Sequence, residues 1–202
     1  MQHEWLIGVD EAGRGPLAGP VSVGVVAVPL GFDIKREFKG VTDSKLLNRQ
    51  KREIIFDDAE RRARRGDLRF VVRFADNRHI DEHGIVKAVT TLVHTGVREL
   101  SAPSHCFVML DGLLRAPARY PQRTVIGGDL KVPLVSLASV LAKVTRDRTM
   151  EQLSRFYPEY KFEDNKGYGT PEHRLALKRH GLCDIHRKSY CKELLKQRSL
   201  VQ

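Results

Sequence analysis

Apolar residues in this chain fall into short runs typical of β-strands and longer runs with the spacing of helices. The clearest is residues 20–29, where five valines fall within eight positions, because β-branched side chains favour strands. The pattern predicts strands at residues 4–10, 20–29, 68–74, 106–110 and 124–126, with a further extended segment at 32–39. It predicts helices at 44–65 (with Asp43-Ser44 as N-cap), 80–100 (broken or bent at Gly84 and Gly96), 133–156, 171–180 and 188–197. This order predicts an α/β fold, a mixed sheet flanked by helices with a helical C-terminal segment.

The composition is that of a folded, basic protein. Its 202 residues are 41% hydrophobic and carry a net charge of +10, which suits one sizeable domain and modestly favours a polyanionic partner. No apolar run approaches the ~20 residues that span a bilayer, and the N-terminus lacks a basic stretch leading into an apolar one. The three cysteines have no metal-type spacing, as expected in a reducing compartment. We expect a cytoplasmic, monomeric protein without a membrane partner.

Two adjacent carboxylates, Asp10 and Glu11, follow the apolar residues 5–9 and precede the glycine-rich turn Gly13-Arg14-Gly15. Successive side chains of a strand point to opposite faces, so both carboxylates can serve one site only near the end of the strand. Glycine lets the backbone come close to a ligand because it has no Cβ. The arrangement indicates a metal site rather than hydrophobic core.

Asp111 and Asp129 repeat this local pattern, since each lies beside glycine and after a short apolar run. Sites in α/β sheets form where strands end, so we expect Asp10, Glu11, Asp111 and Asp129 to converge. Converging carboxylates need compensating positive charge, which two Mg²⁺ or Mn²⁺ ions supply to hard oxygen ligands. Taken singly, Asp111 and Asp129 are better explained as turn residues. The combination with Asp10-Glu11 and the basic charge favours the metal site.

The segment Gly13–Ala18 also matches the G-x-G-x-x-G/A dinucleotide fingerprint. A valine-rich strand follows Ala18 in place of the helix that would hold a pyrophosphate, and two carboxylates precede the turn. The dinucleotide interpretation therefore fails. The sequence also lacks a Walker A, H-E-x-x-H, C-x-x-C or G-x-S-x-G motif.

Taken together, the motifs resemble type-2 ribonuclease H, the ribonuclease HII family. The residues that carry the resemblance follow the family's order along nearly the whole chain: Gly8–Pro16, Asp43-Ser44-Lys45, Leu110-Asp111-Gly112, Gly128-Asp129, Ala138–Asp147, Lys166–Thr170 and His186–Tyr190. The resemblance implies an RNase H-like fold with a five-stranded mixed sheet and a C-terminal helical segment. It implies an endonuclease that cuts the RNA strand of RNA–DNA hybrids and cuts 5′ of ribonucleotides embedded in duplex DNA. The products would carry 5′-phosphate and 3′-hydroxyl ends, as in ribonucleotide removal during replication and repair.

Position by position, the resemblance implies metal binding and catalysis by Asp10, Glu11, Asp111 and Asp129. It implies that Gly13, Arg14 and Gly15 contact the ribose 2′-hydroxyl, the group that distinguishes RNA from DNA. It also implies that the Tyr168 ring stacks at the RNA–DNA junction. Phosphate contacts are expected from Lys45, Lys143 and Arg146.

We expect residues 1–156 to form the catalytic domain and residues 157–202 to pack on it and extend the basic nucleic-acid-binding face. One stripe of the predicted helix 133–156 carries Ser136, Ser139, Lys143 and Asp147, and it faces either the site or solvent. Among the histidines, His173 follows Tyr168 closely enough to bear on the site.

The chain departs from the family at three positions, none of them a predicted metal ligand: Gly127, Leu137 and Tyr190. These departures leave rate and metal preference open. The alternative function is a catalytically weak nucleic-acid-binding module with the same fold. A degenerate relative would usually have lost one of the four carboxylates, whereas all four are present here.

Overall fold

A computed structural model describes residues 4–42 and 44–192 and shows a five-stranded mixed sheet. The strands are β1 (Trp5–Ala12), β2 (Val21–Pro29), β3 (Arg69–Ala75), β4 (Cys106–Asp111) and β5 (Gln122–Val125). Their order across the sheet is β3-β2-β1-β4-β5. The pairs β1–β2 and β2–β3 are antiparallel, and the pairs β1–β4 and β4–β5 are parallel. The predicted mixed sheet is confirmed.

Helices cover both faces of the sheet. They are α1 (Ile34–Glu37), α2 (Arg49–Arg65), α3 (Asn77–His83), α4 (Ile85–Leu100), α5 (Gly128–Lys131), α6 (Pro133–Ser154), α7 (Phe162–Asn165) and α8 (Pro171–His180). On one face α4 packs on β2 and β3, and on the other α6 packs on β1 and β2 with α2 beside it. Because β2 is covered on both faces, its sequence is apolar at nearly every position and includes five valines among nine residues.

Helix α6 lies directly against the sheet backbone. A methyl group added at Gly8 would lie 2.4 Å from the Leu134 carbonyl oxygen, and one at Gly24 would lie 2.3 Å from the Ala138 carbonyl oxygen. Asp10 lies two positions beyond Gly8 and pairs with Gly24, so its side chain faces the same helix. These close approaches bring the first half of α6 over the predicted site.

Two predicted elements are wrong because a side-chain N-cap sets the residue at which each helix begins. Residues 32–39 contain α1 rather than an extended segment, since the Asp33 side chain accepts two amide hydrogen bonds as its N-cap. Helix α2 begins at Arg49 with Asn48 as its N-cap. The predicted cap residue Asp43 lies outside the described residues.

The predicted break at Gly84 separates α3 from α4, but the second predicted break is absent. Helix α4 continues through Gly96 to Leu100. A methyl group at Gly96 would lie 2.7 Å from Cγ2 of Val25, so this glycine lets the helix approach β2.

The described part of the C-terminal segment packs against the loop after β1 and against the second half of α6. An apolar cluster there joins two parts of the chain: Leu17, Ala18 and Met150 on one side, Tyr160, Phe162 and Leu177 on the other. Residues 188–192 are helical, and the rest of the helix predicted at 188–197 lies outside the described residues. The division between residues 1–156 and 157–202 stays a prediction. Among the helices of the described ranges, none combines the length and apolar character needed to cross a membrane.

Candidate active site

The parallel pair β1–β4 brings two of the predicted ligands side by side. The ladder runs as far as the pair Val9–Leu110, so Asp10 and Asp111 are the next residues on adjacent strands. Residues at matching positions of neighbouring strands point to the same face. Strand β1 itself continues through Ala12, paired with β2, so the strand end predicted at residue 10 is wrong. Asp10 lies instead where β4 ends and leaves one edge of β1 open.

The Asp10 carboxylate is almost fully buried, with 4% of the residue exposed. Its Oδ1 accepts a hydrogen bond from the Glu11 amide at 2.7 Å, and the Ser139 hydroxyl of α6 donates another. Burial raises the pKa of Asp10 well above its usual value, and the neighbouring Glu11 and Asp111 carboxylates raise it further. Three carboxyl groups therefore share one poorly solvated space.

The turn after β5 places Asp129 beside Asp111. Gly127 adopts a left-handed φ of 66° as the N-cap of α5, whose first turn contains Asp129. The Gly128 amide then donates to Oδ1 of Asp111 at 2.6 Å. Asp129 is buried, and the Ser136 hydroxyl donates to its backbone carbonyl at 2.6 Å. The two strand ends are thus joined by hydrogen bonds that fix both aspartates.

The chemistry of these side chains fits a hard divalent cation, although they do not yet form a complete coordination site. Within residues 4–42 and 44–192, no three His, Cys, Asp or Glu side chains are grouped so that they hold a metal as they stand. Glu11 Oε1 instead accepts from Arg14 at 3.1 Å. Its Oε2 is buried without a hydrogen-bond partner, which is costly unless a cation compensates it. Buried carboxylate oxygens that repel one another match the ligand chemistry of Mg²⁺ and Mn²⁺.

The loop Gly13–Gly15 follows these carboxylates and uses its two glycines differently. Gly13 has a φ of 89°, and a methyl group there would lie 2.0 Å from Nε of Arg146. Any other residue at this position would therefore destabilise the folded protein. At Gly15 the φ lies outside the left-handed region, and a methyl group would meet no atom within 4 Å. Nothing in the fold requires glycine at Gly15, and the space beside it is open.

A fully buried arginine holds this loop by its backbone carbonyl groups. Arg187 is 0% exposed and donates to the carbonyl oxygens of Gly13, Arg14 and Gly19 at 2.7, 2.8 and 3.0 Å. Burial lowers the pKa of Arg187 to about 10, so the guanidinium is still charged at neutral pH. The Tyr190 hydroxyl also donates to the Arg14 carbonyl, at 3.1 Å. Residues 187–190 therefore fix the loop that follows β1.

Arg146 also lies beneath this loop, which argues against the phosphate contact predicted for it. Its side chain is fully buried, and Nε donates to the Pro20 carbonyl at 2.8 Å. Its guanidinium lies 5.8 Å from the centre of the Tyr168 ring, and burial lowers its pKa. A side chain enclosed in this way is poorly placed for the predicted phosphate contact. We assign Arg146 to support of the loop instead.

A cleft of about 560 Å³ joins the loop to Glu11 and to Tyr168. It is lined by Glu11, Ala12, Gly13, Arg14, Gly15, Ser44, Lys45, Arg52, Ser139, Lys143 and Tyr168. The Tyr168 ring is half-exposed and lies 5.9 Å from the Lys143 ammonium. The Gly167 carbonyl accepts from the Leu17 amide at 2.8 Å, which ties the Tyr168 segment to the loop. Residues distant in sequence thus meet in one cleft.

The two predicted phosphate-binding lysines lie at this cleft. The ammonium of Lys45 is 3.9 Å from Oδ2 of Asp129 and its side chain is largely exposed. The ammonium of Lys143 donates to Asp147 at 2.8 Å. Burial lowers the pKa of Lys143, and Asp147 opposes that shift. Lys45 therefore lies beside a predicted metal ligand, whereas Lys143 is paired with Asp147.

The stripe on α6 faces the site at its first two positions. Ser136 contacts the Asp129 backbone, and Ser139 contacts Asp10 and lies 2.8 Å from the Ser44 hydroxyl. All three serines are buried. The alternative of a solvated helix face is wrong for this part of α6.

Sequence reasoning missed the support given by Arg187, and it assigned Ser44 to a helix N-cap rather than to its contact with Ser139. Arg187 lies within the His186–Tyr190 motif, which was a signal of importance, but an arginine in a basic chain suggests an exposed face. Its partners Gly13 and Arg14 lie more than 170 positions away along the chain, so no local pattern indicates this role.

A protein-family model described as Ribonuclease HII matches residues 7–193 of the chain. The chain belongs to the ribonuclease HII family. Ribonuclease HII of Caldicellulosiruptor saccharolyticus is 40% identical over 194 residues, covering 96% of this chain and 90% of that protein. Ribonuclease HII of Desulfitobacterium hafniense is 40% identical over 185 residues, covering 92% of this chain and 68% of that protein. The resemblance inferred from the motifs is confirmed.

Solved structures agree with the fold. Ribonuclease H2 from Pyrococcus horikoshii has a TM-score of 0.77 at 26% identity, covering 96% of this chain and 99% of that one. RNase HII from Archaeoglobus fulgidus, solved in complex with PCNA, has a TM-score of 0.71 at 27% identity, covering 94% and 96%. The RNase H-like architecture is confirmed, and as a member of the ribonuclease HII family the chain is a metal-dependent ribonuclease H.

Proposed function

We propose that this ribonuclease HII cuts the RNA strand of RNA–DNA hybrids and cuts 5′ of ribonucleotides embedded in duplex DNA. It leaves 5′-phosphate and 3′-hydroxyl ends and serves ribonucleotide removal during replication and repair. The observation that carries the proposal is the single cleft in which Glu11, the loop Gly13–Gly15 and Tyr168 meet. Catalytic carboxylates, a ribose-facing backbone and an aromatic ring are the three parts that such a reaction needs.

Asp10, Glu11, Asp111 and Asp129 would hold two divalent cations, Mg²⁺ or Mn²⁺. Two such ions activate a water and stabilise the leaving oxygen of a phosphodiester. Neighbouring groups already orient two of these carboxylates: the Ser139 hydroxyl bonds to Asp10, and the Gly128 amide bonds to Asp111. The unpaired Oε2 of Glu11 supplies a further ligand atom.

The loop Gly13–Gly15 gives the selectivity for RNA. Since Arg187 donates hydrogen bonds to the carbonyl oxygens of Gly13 and Arg14, the loop is fixed before substrate binds. The open space at Gly15 admits a ribose, whose 2′-hydroxyl bonds to backbone groups. Tyr168 stacks at the junction with the following nucleotide, as aromatic rings commonly do with nucleic acids.

Positive charge around the cleft draws the duplex to the site. Lys45 and Lys143 line the cleft and contact phosphates of the cut strand. The last turn of α8 is also basic, with Lys178 and Arg179. Phosphate contacts of this kind make binding depend on salt.

The decisive experiment compares three duplexes of one sequence: DNA with a single ribonucleotide, an RNA–DNA hybrid, and DNA alone. Each is incubated with Mg²⁺ or with Mn²⁺, and the products are tested for 5′-phosphate and 3′-hydroxyl ends. We expect cleavage of the first two duplexes, with the cut 5′ of the single ribonucleotide. Asp111→Asn is the control, since an amide is a poor ligand for a hard cation. Cleavage of the all-DNA duplex, or a cut 3′ of the ribonucleotide, would contradict the proposal.

The same experiment tests the alternative, a catalytically weak binding module. Such a protein would bind the ribonucleotide-containing duplex and release it uncut with either metal. All four carboxylates are present in the chain, and the burial of Asp10 and Asp129 favours catalysis.

A further inference from the structure

Behind Tyr168, two buried histidines form a continuous hydrogen-bonded chain. His173 and His186 are 0% and 1% exposed, and their Nε2 atoms lie 3.0 Å apart. At one end, Nδ1 of His173 lies 2.8 Å from the Tyr168 carbonyl oxygen. At the other end, Nδ1 of His186 lies 2.9 Å from the Cys183 amide nitrogen. The chain joins the backbone of residue 183 to that of Tyr168 through two imidazole rings.

Only one arrangement of ring protons satisfies these contacts with both rings neutral. A carbonyl oxygen only accepts, so Nδ1 of His173 must carry a proton and donate to Tyr168. Its Nε2 is then an acceptor, so His186 donates from Nε2 and accepts the Cys183 amide at Nδ1. The reverse tautomer of His186 would donate to the Cys183 carbonyl at 3.3 Å. It would force His173 to hold two ring protons and a charge.

The surroundings keep the two rings neutral. Burial lowers the pKa of His173, and burial together with His173 lowers the pKa of His186 to about 4. The Cys183 thiol, 3.1 Å from Nδ1 of His186, has its pKa raised by burial to about 11. It therefore stays protonated and can also donate to Nδ1. The rings of Tyr160 and Phe162 pack edge-on against His186 and His173 and fix their orientation.

Tyr168, at one end of this hydrogen-bonded chain, lies in a segment whose backbone needs to be held in place. Tyr168 lies between Gly167, whose φ is 84°, and Gly169, and glycine on both sides leaves a segment many conformations. Its carbonyl accepts from the Thr170 amide at 2.8 Å as well as from His173. The ring itself projects half-exposed into the cleft, so its direction is set by its backbone.

We propose that His186 and His173 form a relay of positioning residues that holds the Tyr168 ring at the ribonucleotide junction. The relay rests on the proposed stacking role of Tyr168. It makes recognition of a single junction depend on the C-terminal residues 183–186, which do not line the cleft. His173 and His186 touch no substrate; they act only through Tyr168.

The relay is tested by replacing His173 with two amides of different length. Asparagine places a donor near the position of Nδ1 and keeps the bond to Tyr168. Glutamine reaches the position of Nε2, keeps the contact with His186 and loses Tyr168. On the single-ribonucleotide duplex we expect kcat/KM to fall about 3- to 10-fold further in His173→Gln than in His173→Asn, the range for one hydrogen bond. Equal losses, or losses that simply follow thermal stability, would overturn the relay.

A measurement on the unsubstituted protein tests the relay without catalysis. Ring ¹⁵N chemical shifts at pH 7 should show His173 protonated at Nδ1 and His186 protonated at Nε2. Any other pair of tautomers, or a doubly protonated ring, would overturn the proposal even if every variant failed to fold.

Tyr168→Ala on the same duplex separates the relay from the function on which it rests. If Tyr168→Ala cleaves like the parent, the stacking role fails and the relay fails with it. If Tyr168→Ala is impaired while His173→Gln cleaves like the parent, the relay alone fails.

Discussion

Gly13 and Gly15 offer a matched pair of substitutions that separates folding from substrate recognition. They flank the same arginine in one loop, yet only Gly13 has a left-handed backbone and a crowded Cβ position. Alanine at Gly13 should therefore damage the protein, whereas alanine at Gly15 should damage the reaction.

The cost of Gly13→Ala follows from two contributions. A left-handed conformation costs a non-glycine residue about 1–2 kcal/mol. The new methyl group would lie 2.0 Å from Nε of Arg146, so the guanidinium must shift and lose its bond to the Pro20 carbonyl, worth about 1.5–3 kcal/mol for a charged donor. Their sum, roughly 2.5–5 kcal/mol, should lower Tm by about 10 °C in a chain of this length.

Gly15→Ala should leave the free energy of unfolding within about 0.5 kcal/mol of the parent value, as expected for an unstrained surface position. Cleavage of the single-ribonucleotide duplex should fall, because a methyl group would occupy the space that we assign to the ribose. Forcing a methylene into a packed contact typically costs about 1–3 kcal/mol. Binding to an all-DNA duplex should change little.

Thermal unfolding followed by circular dichroism gives the first quantity, and initial cleavage rates of the three proteins give the second. The reasoning about the loop is refuted if Gly15→Ala is as unstable as Gly13→Ala. The ribose assignment is refuted if Gly15→Ala folds normally and cleaves at the parent rate.

Other expected outcomes concern single side chains. The pKa of Asp10 is raised in the folded protein, so without metal the free energy of unfolding should fall as the pH rises from 3.8, its ordinary pKa, through the folded value. Asp10→Asn should remove this loss. With EDTA present, the variant should be more stable than the parent at pH 8 but not at pH 4. An unchanged pH slope in urea unfolding would refute the assignment. Arg187→Lys replaces a guanidinium that bonds three carbonyls by a single ammonium, so it should lose about 3 kcal/mol of stability; parent-like urea unfolding and cleavage would show that the loop does not depend on Arg187. Tyr168→Ala should lose about 1–3 kcal/mol in kcat/KM on the single-ribonucleotide duplex, with most activity kept in Tyr168→Phe; a phenylalanine variant as poor as alanine would argue against stacking.

Local pattern was enough to predict the sheet and to place the carboxylates near one another. Asp10 and Asp111 each follow an apolar run, and parallel strands bring such positions together. The valine run at residues 20–29 marked the strand β2. These features depend on periodicity and on chain topology, both of which a single sequence carries.

The support beneath the site could not be predicted in this way. Arg146 and Arg187 are charged residues in a basic chain, a pattern that favours the surface, whereas both are fully buried because loop carbonyls accept their hydrogen bonds. The His173–His186 contact depends on how α8 packs, not on a local pattern. Short caps such as Asp33 and Asn48 also moved element boundaries, since one side-chain hydrogen bond decides them.

The bonds from Arg187 to Gly13 and Arg14 join residues 174 and 173 positions apart, and this separation has a consequence during protein synthesis. A growing chain that has left the ribosome as far as residue 150 already contains all four predicted metal ligands, β1 to β5 and most of α6. It lacks the arginine that fixes the loop and the tyrosine beside it. Contacts of such long range form late, because the intervening chain must first be present and ordered. An incomplete chain would therefore possess the cutting residues without the means to hold a ribonucleotide in place, so nucleic acid near the ribosome would meet a selective enzyme only once nearly the whole chain had been made.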